Sequence, residues 1–265
     1  PIEEIVEEIS YLNKAGMFEF NLIGQDLATY GLGSTDLGFG NASFVRGSSG
    51  SMNLNGEKSP LYNLLSAISA IEGDFWIRLL YIHPDNFPLD ILEIIKNDKR
   101  FLPYFDIPFQ SGDDSIIKAM NRHGSQNDYV ELVKKIRSEC EKSFYKDCAI
   151  RTTFLCGFPG ETDENAENTK KFLKTIKTDW SGCFAYSKEE DTPAYSMKGQ
   201  VGLKKAQKRC DQLQKVQNEI IAELLLRHVG KTYRVLIEEI VDGEAEGIAI
   251  ARSWFQAPDV DGNVV

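Results

Sequence analysis

Residues 149–162 read AIRTTFLCGFPGET, an apolar run rich in β-branched residues that ends in Gly157-Phe158-Pro159-Gly160. β-Branched and aromatic side chains favour a pleated strand, and a Gly-Phe-Pro-Gly sequence breaks one. The polar segment from Asp163 has helical character, and Thr162 stands where a helix cap belongs. The unit is therefore strand, open turn, helix. A tight β-to-α turn explains the break but does not require two glycines. Glycines at the carboxyl end of a buried strand also let a ligand approach the backbone. A Walker phosphate loop would carry Lys and Ser/Thr after its second glycine, whereas Gly160 is followed by Glu161 and Thr162.

The same alternation runs outward in both directions. Ile2, Ile5, Val6, Ile9 and Leu12 recur at helical spacing up to Gly16, and MFEFNLI (17–23) reads as a strand. Helix 60–71, strand 75–82, helix 89–96 and strand 104–109 follow, then helices over 113–120 and 128–140. After strand 148–155 come a helix over 165–176 and a strand over 180–186. Strands alternating with helices of this length predict βαβ units and a parallel sheet. Five strands are visible, and the leading helix implies a sixth before residue 1. The fold class is therefore α/β, a partial (β/α)6 TIM-like barrel, in which chemistry sits at the carboxyl ends of the strands. Those ends carry Gly24-Gln25-Asp26, His83-Pro84, Gln110-Ser111-Gly112, Cys156 to Gly160 and Tyr186-Ser187.

Two segments depart from this plan. Residues 31–59 hold seven glycines and six serines with few apolar anchors, which reads as an insertion. A long amphipathic helix over 203–229 is followed by two short strands, 232–240 and 246–251, joined at Asp242-Gly243. These begin a small all-β domain that stops before it can bury a core. The expected division is 1–229 for the barrel, with the insertion at 31–59, and 230–265 for the β domain, with both chain ends read as truncated.

With 42% hydrophobic residues the chain can bury an ordinary core, and no apolar run approaches the about 20 residues of a membrane span. A soluble, cytoplasmic protein is expected, with no membrane partner. The net charge of −10 argues against clamping nucleic acid through this chain alone. Cys140, Cys148, Cys156, Cys183 and Cys210 contain no C-x-x-C pair, so they read as scattered buried thiols and no metal ligands are assigned. His83, His123 and His228 stand in structural contexts, and Glu189-Glu190-Asp191 reads as a solvated charge run. Arg122, and Arg151 within a strand, are stronger candidates. An arginine there pairs either with a ligand carboxylate or phosphate or with a neighbouring strand.

Five stretches in order resemble one family. They are NLIGQDLATYG (21–31), DIPFQSGDDSIIKAMNR (106–122), RTTFLCGFPGET (151–162), FAYSKEEDTPAY (184–195) and APDVDGNV (257–264). Together they resemble the radical S-adenosylmethionine (SAM) methylthiotransferases across nearly the whole chain except the Gly/Ser insertion. The resemblance implies an N-terminal α/β domain, a central radical-SAM partial barrel and a C-terminal TRAM (OB-like) domain, of which this chain holds the centre and the start of the last. It places the C-x-x-x-C-x-x-C loop, whose thiolates hold a [4Fe–4S] cluster, upstream of residue 1. Two [4Fe–4S] clusters are thus implied for the full-length protein and none is ligated by this chain, which alone would be inactive.

In the family, one electron from the first cluster cleaves SAM, and the resulting radical abstracts hydrogen from an unactivated carbon that then receives a methylthio group. The resemblance puts Gly24 and Gln25 at the methionine amino end of SAM and Gln110 and Ser111 near the ribose. Arg122 would face the SAM carboxylate, and Leu155 to Gly157 would lie along the adenine. Arg151 joins them as a cofactor-binding candidate, and no catalytic residue is identified. The implied substrate is an aspartate β-carbon of a basic small-subunit ribosomal protein, the alternative being N6-isopentenyladenosine of tRNA. An electron donor is also implied. Residues 231–265 hold seven acidic side chains against three basic ones, which favours the basic protein. A non-catalytic SAM-binding or scaffold fragment is the remaining reading.

Overall fold

Helix α1 (Ile2–Lys14) leads into strand β1 (Glu19–Ile23) through Gly16, whose φ of 97° only glycine adopts freely. The computed structural model describes residues 1–32, 44–45, 52–53, 57–241 and 247–265. Most of the 31–59 insertion and the Asp242-Gly243 turn lie outside those residues. Strands β2 (Phe44–Val45) and β3 (Met52–Asn53) form an antiparallel pair. Then come α2 (Pro60–Ser69), β4 (Trp76–Leu80), α3 (Ile91–Asn97), β5 (Phe101–Asp106) and α4 (Asp114–Ala119). They are followed by α5 (Gln126–Cys140), β6 (Ala149–Cys156), α6 (Asp163–Ile176), β7 (Trp180–Ala185) and α7 (Leu203–Leu225). The antiparallel pair β8 (Leu236–Val241) and β9 (Ile248–Arg252) comes last.

The main sheet runs β1-β4-β5-β6-β7 with every neighbouring pair parallel, so spatial order equals chain order. All five carboxyl ends therefore lie along one rim, as the (β/α) reading requires. Strand β5 corrects the sequence reading, which placed it over 104–109. Ile77 pairs with Phe101 and Leu79 with Phe105, so β5 carries extra residues between two ladder contacts. Pro103 sits in that irregularity, where its missing N–H breaks no regular ladder bond.

Alternation sorts the strand side chains between two cores. Ile77, Leu79, Phe105, Ile150 and Phe154 face the helices, packing with Leu64, Ile68, Ile95, Ile136 and Phe172. Each such side chain contributes roughly 1.5–3 kcal/mol on burial. Trp76, Leu102, Tyr104 and Ala149 face the other way and pack with Trp254, Phe255 and Ala257 from the C-terminal segment. The lower part of the sheet's second face is thus covered by residues far away in the chain. His228 helps hold them, stacking on Phe255 at 4.2 Å and hydrogen-bonding Tyr233.

Charge is buried with that second core. Arg78, fully buried, donates to Glu19 at 2.8 Å and to the Trp254 carbonyl at 2.9 Å, and lies over the Tyr104 ring. The other oxygen of Glu19 accepts from Arg252 at 2.8 Å, and Arg252 also binds Glu238 and the Gln256 carbonyl. Removing one partner of a buried pair strands the other charge, at a cost of about 3–5 kcal/mol. Arg78→Ala should therefore lower the urea unfolding free energy by roughly that amount. A loss under about 1 kcal/mol, the range of an exposed pair, would show that this network does not hold the C-terminal segment to the sheet.

Candidate cofactor site at the strand-end rim

The rim is tied together by backbone groups. Asp26, just after β1, accepts through Oδ1 from Ala28 N at 2.9 Å and His83 N at 3.0 Å. Leu27 N donates to the Tyr81 carbonyl at 3.0 Å, so the ends of β1 and β4 are joined twice. After Pro108, the chain returns to the sheet at Gln110, whose N donates to Thr153 O at 2.8 Å and whose O accepts from Leu155 N at 2.9 Å. Tyr81 at φ 62° and Gln110 at φ 67° lie in the left-handed region. Non-glycine residues hold it at a cost of about 1–3 kcal/mol, and such residues concentrate at functional sites.

Above the second core, the same sheet face stays open. Ile23 and Phe184 are each 61% exposed there, and Leu155 is half-buried. Asn21 Oδ1 in β1 and Tyr186 OH just after β7 are buried without a hydrogen-bond partner. An unsatisfied buried polar atom costs about 1–3 kcal/mol. Apolar surface and unsatisfied polar atoms on one face are features of a small-molecule site. Neither Asn21 nor Tyr186 stood out in the sequence as a binding residue. Their signal was only their position, one in NLIGQ and one at a strand end.

The expected residues divide. Gly24 and Gln25 follow β1 on the rim, with Gln25 exposed, and a β-carbon at Gly24 would come no closer than 3.4 Å to Leu27. Gln110 and Leu155 are also at the rim. Arg122 is half-buried where β5 ends, donating to the Pro108 carbonyl at 2.8 Å. Burial first, and then the Arg122 charge, hold His83 below its ordinary pKa, keeping that histidine neutral at pH 7.

Three of the expected residues have partners within the fold. Ser111 is buried, with its hydroxyl 3.3 Å from that of Thr169 in α6 and accepting from Asp113 N, so its side chain belongs to the turn. A β-carbon at Gly157 would lie 2.4 Å from Cβ of Ala206 in α7, so close helix packing and a φ of 80° explain that glycine. Arg151 sits below the rim between Asp106 at 3.8 Å and Asp261 at 3.6 Å, which uses its charge inside the protein. Pairing with the neighbouring strand was one of the two readings left open; Asp261 adds a partner from the C-terminal segment. Burial raises Asp106 to about 6 despite Arg151, and Asp261 is raised for the same first reason.

The turn that opened the sequence reading is anchored to α7 at other points as well. Glu161 accepts from Gly157 N and pairs with Arg209 at 3.0 Å, and Gly160 N donates to Gly199 O at 2.8 Å. Thr162 caps α6 in a reciprocal box with Asn165. The cysteines are not scattered. Cys140 and Cys148 are hydrogen-bonded neighbours, while Cys156, Cys183 and Cys210 bring three sulfurs together. Among the described residues no helix is long and apolar enough to cross a membrane.

Comparison with known proteins adds a second line. The family model for the radical SAM superfamily matches residues 1–173, and that for the TRAM domain matches residues 229–265. A curated protein of Treponema denticola, ribosomal protein uS12 methylthiotransferase RimO, is 51% identical over 100% of this chain and 55% of its own length. Its namesake from Thermosipho africanus is 40% identical over 99% of this chain and 54% of its own length. The chain spans about half the length of the curated relatives it matches.

Gly157→Ala should destabilise the fold by roughly 2–4 kcal/mol, combining left-handed strain with overpacking against Ala206. Thermal and urea unfolding read this directly, and a near-neutral variant would mean that α7 can withdraw. Asp106 makes a pH-dependent prediction. Its folded pKa of about 6 lies above the ordinary 3.8, so its stabilising contribution is complete below 3.8 and is lost as pH rises through 6. Asp106→Asn should remove that loss, so the variant gives up about 2–3 kcal/mol less than wild type between about pH 4 and 7. Parallel stability curves for the two proteins would refute the shift.

Proposed function

The chain belongs to the radical SAM superfamily, and from that premise we propose that the protein is a methylthiotransferase acting on an aspartate β-carbon of the small-subunit ribosomal protein uS12. The observation that carries this reading is the 51% identity, over the whole chain, to a relative named for that activity. We assign residues 1–229 to the radical SAM core, with the insertion at 31–59, and 230–265 to the TRAM domain. The TRAM match at 229–265 supports that boundary.

The rim fits SAM by its own chemistry. Gly24 and Gln25 take the methionine amino end, Arg122 the carboxylate and Gln110 the ribose. Leu155 offers apolar surface to the adenine, with Phe184 paired to it in β7, and Asn21 and Tyr186 supply polar atoms that otherwise lack partners. When bound, SAM and the [4Fe–4S] clusters of the full-length protein supply one-electron hydrogen abstraction and sulfur insertion. The chain's own part is to hold SAM, exclude water and keep the site floor rigid. Arg151, Asp106 and Asp261 form that floor, and no residue of this chain is assigned a proton or bond-breaking step.

The charge argument for a basic substrate weakens in three dimensions. The Asp261 side chain is 1% exposed, and Glu238 is paired with Arg252. Among the described acids there Glu239 and Asp259 are exposed, and Asp242, Glu244 and Glu246 lie outside the described residues. A tRNA substrate has one observation on its side, the cationic groove between α6 and α7 lined by Lys170, Lys204, Lys205 and Lys208. Lys205 is already paired with Asp163 and Lys170 with Glu167, which reduces the free charge. Identity to the uS12-directed relative outweighs it.

Mass spectrometry after gene deletion decides among the readings. Loss of the methylthio mass from uS12, with tRNA nucleosides unchanged, is the expected result. Loss from tRNA with uS12 unchanged would transfer the activity to the nucleic acid. No change in either would leave a binding or scaffold role.

A further inference from the structure

Behind the LCGFPGET loop, on the helix-facing side of the sheet, three cysteines from three elements meet. Cys156 is the last residue of β6, Cys183 lies in β7 and Cys210 in α7. Their sulfurs all lie within 4.8 Å of one another, and Cys156 and Cys183 are 3.4 Å apart. Cys156 and Cys210 are each 4% exposed, while Cys183 is half-buried and gives the group a route to solvent. We propose that Cys156, Cys183 and Cys210 form a three-thiolate site for a single soft, thiophilic cation of the Zn(II) or Cu(I) class, distinct from the SAM rim.

Geometry distinguishes this from the alternatives. Thiolates about 2.3 Å from one central ion stand roughly 3.8–4.0 Å from each other, which falls between the closest observed pair and the outer limit of the trio. A disulfide needs sulfurs near 2.05 Å and would leave the third thiol out. A [4Fe–4S] cubane places its thiolates on different irons and so spreads them farther than one ion does. Thiolate ligands select Zn(II) and Cu(I) over hard cations.

An arginine with two acidic partners lies beside the trio. Three thiolates around a divalent ion carry one net negative charge, which a buried site must offset. Arg209, adjacent to Cys210, is 4% exposed, and its Nε has no hydrogen-bond partner. Its guanidinium already pairs with Glu161 and Asp163, which reduces the charge it leaves for the thiolates. A bound ion would clamp the last two sheet strands to α7. That clamp lies directly behind the turn that Gly157 and Glu161 fasten to the same helix.

The site is independent of the proposed activity, and its test needs none. The 265-residue chain, reduced and stripped of metal, is titrated anaerobically with Cd(II) as probe. Metal content per chain and the thiolate-to-cadmium absorption band are then recorded. The expected result is one Cd(II) per chain, with a cadmium-113 shift typical of a sulfur-rich site. Cys156→Ser, Cys183→Ser and Cys210→Ser should each weaken binding by more than the 10–100-fold that loss of an outer-shell partner costs. Cys148→Ala should bind as wild type does. Circular dichroism checks folding, and the half-buried Cys183 is the mildest substitution. Absence of the band in wild type, unchanged affinity in Cys183→Ser, or loss in Cys148→Ala would each overturn the proposal.

Discussion

Glu19 accepts from two buried arginines, Arg78 of the sheet and Arg252 of the C-terminal strand pair. Much of the remaining arrangement depends on this contact. A carboxylate under a sheet is costly unless matched, and two guanidinium groups match it from opposite sides of a packing boundary. The Trp254 carbonyl, accepting from Arg78, then fixes how deeply the C-terminal segment enters. Trp254, Phe255 and Ala257 follow it into the second core. The outcome is a sheet whose lower second face is filled and whose upper face, at the strand ends, is left open.

That division gives the rim its chemistry. Directly beneath the opening, Tyr104 donates to Asp261 at 2.7 Å, and Arg151 lies between Asp261 and Asp106. Burial raises both carboxylates, and the one guanidinium they share offsets that only in part. Above it, Asn21 and Tyr186 present atoms that the protein itself does not satisfy. The filled part accounts for stability, and the unsatisfied part is where a ligand contributes what the fold does not.

The sequence was most informative where the cause is local. The helix cap at Thr162, the two-residue alternation of β6 and the breaks at Gly16 and Gly157 all act within a few residues, and those elements form where they were read. The parallel order, and hence a rim of strand ends, follows from strands separated by helices. The reading of β5 started too late, and an irregular ladder accommodates Pro103 inside the strand. Gly157 and Ser111 also have neighbours that no local signal showed, α7 in one case and α6 in the other.

By itself, then, the sequence determined an alternating α/β chain with its special residues at strand ends, and a family resemblance carried by five ordered motifs. Only the tertiary structure decided which side chains face the opening and which are spent beneath it. It took Asp261 to Arg151 across more than a hundred residues, and Cys210 to Cys156 across a helix and a strand. The reason is that hydrogen bonding, ion pairing and thiol grouping depend on distance in space. Sequence spacing constrains that distance within one element, while packing between elements sets it for the rest.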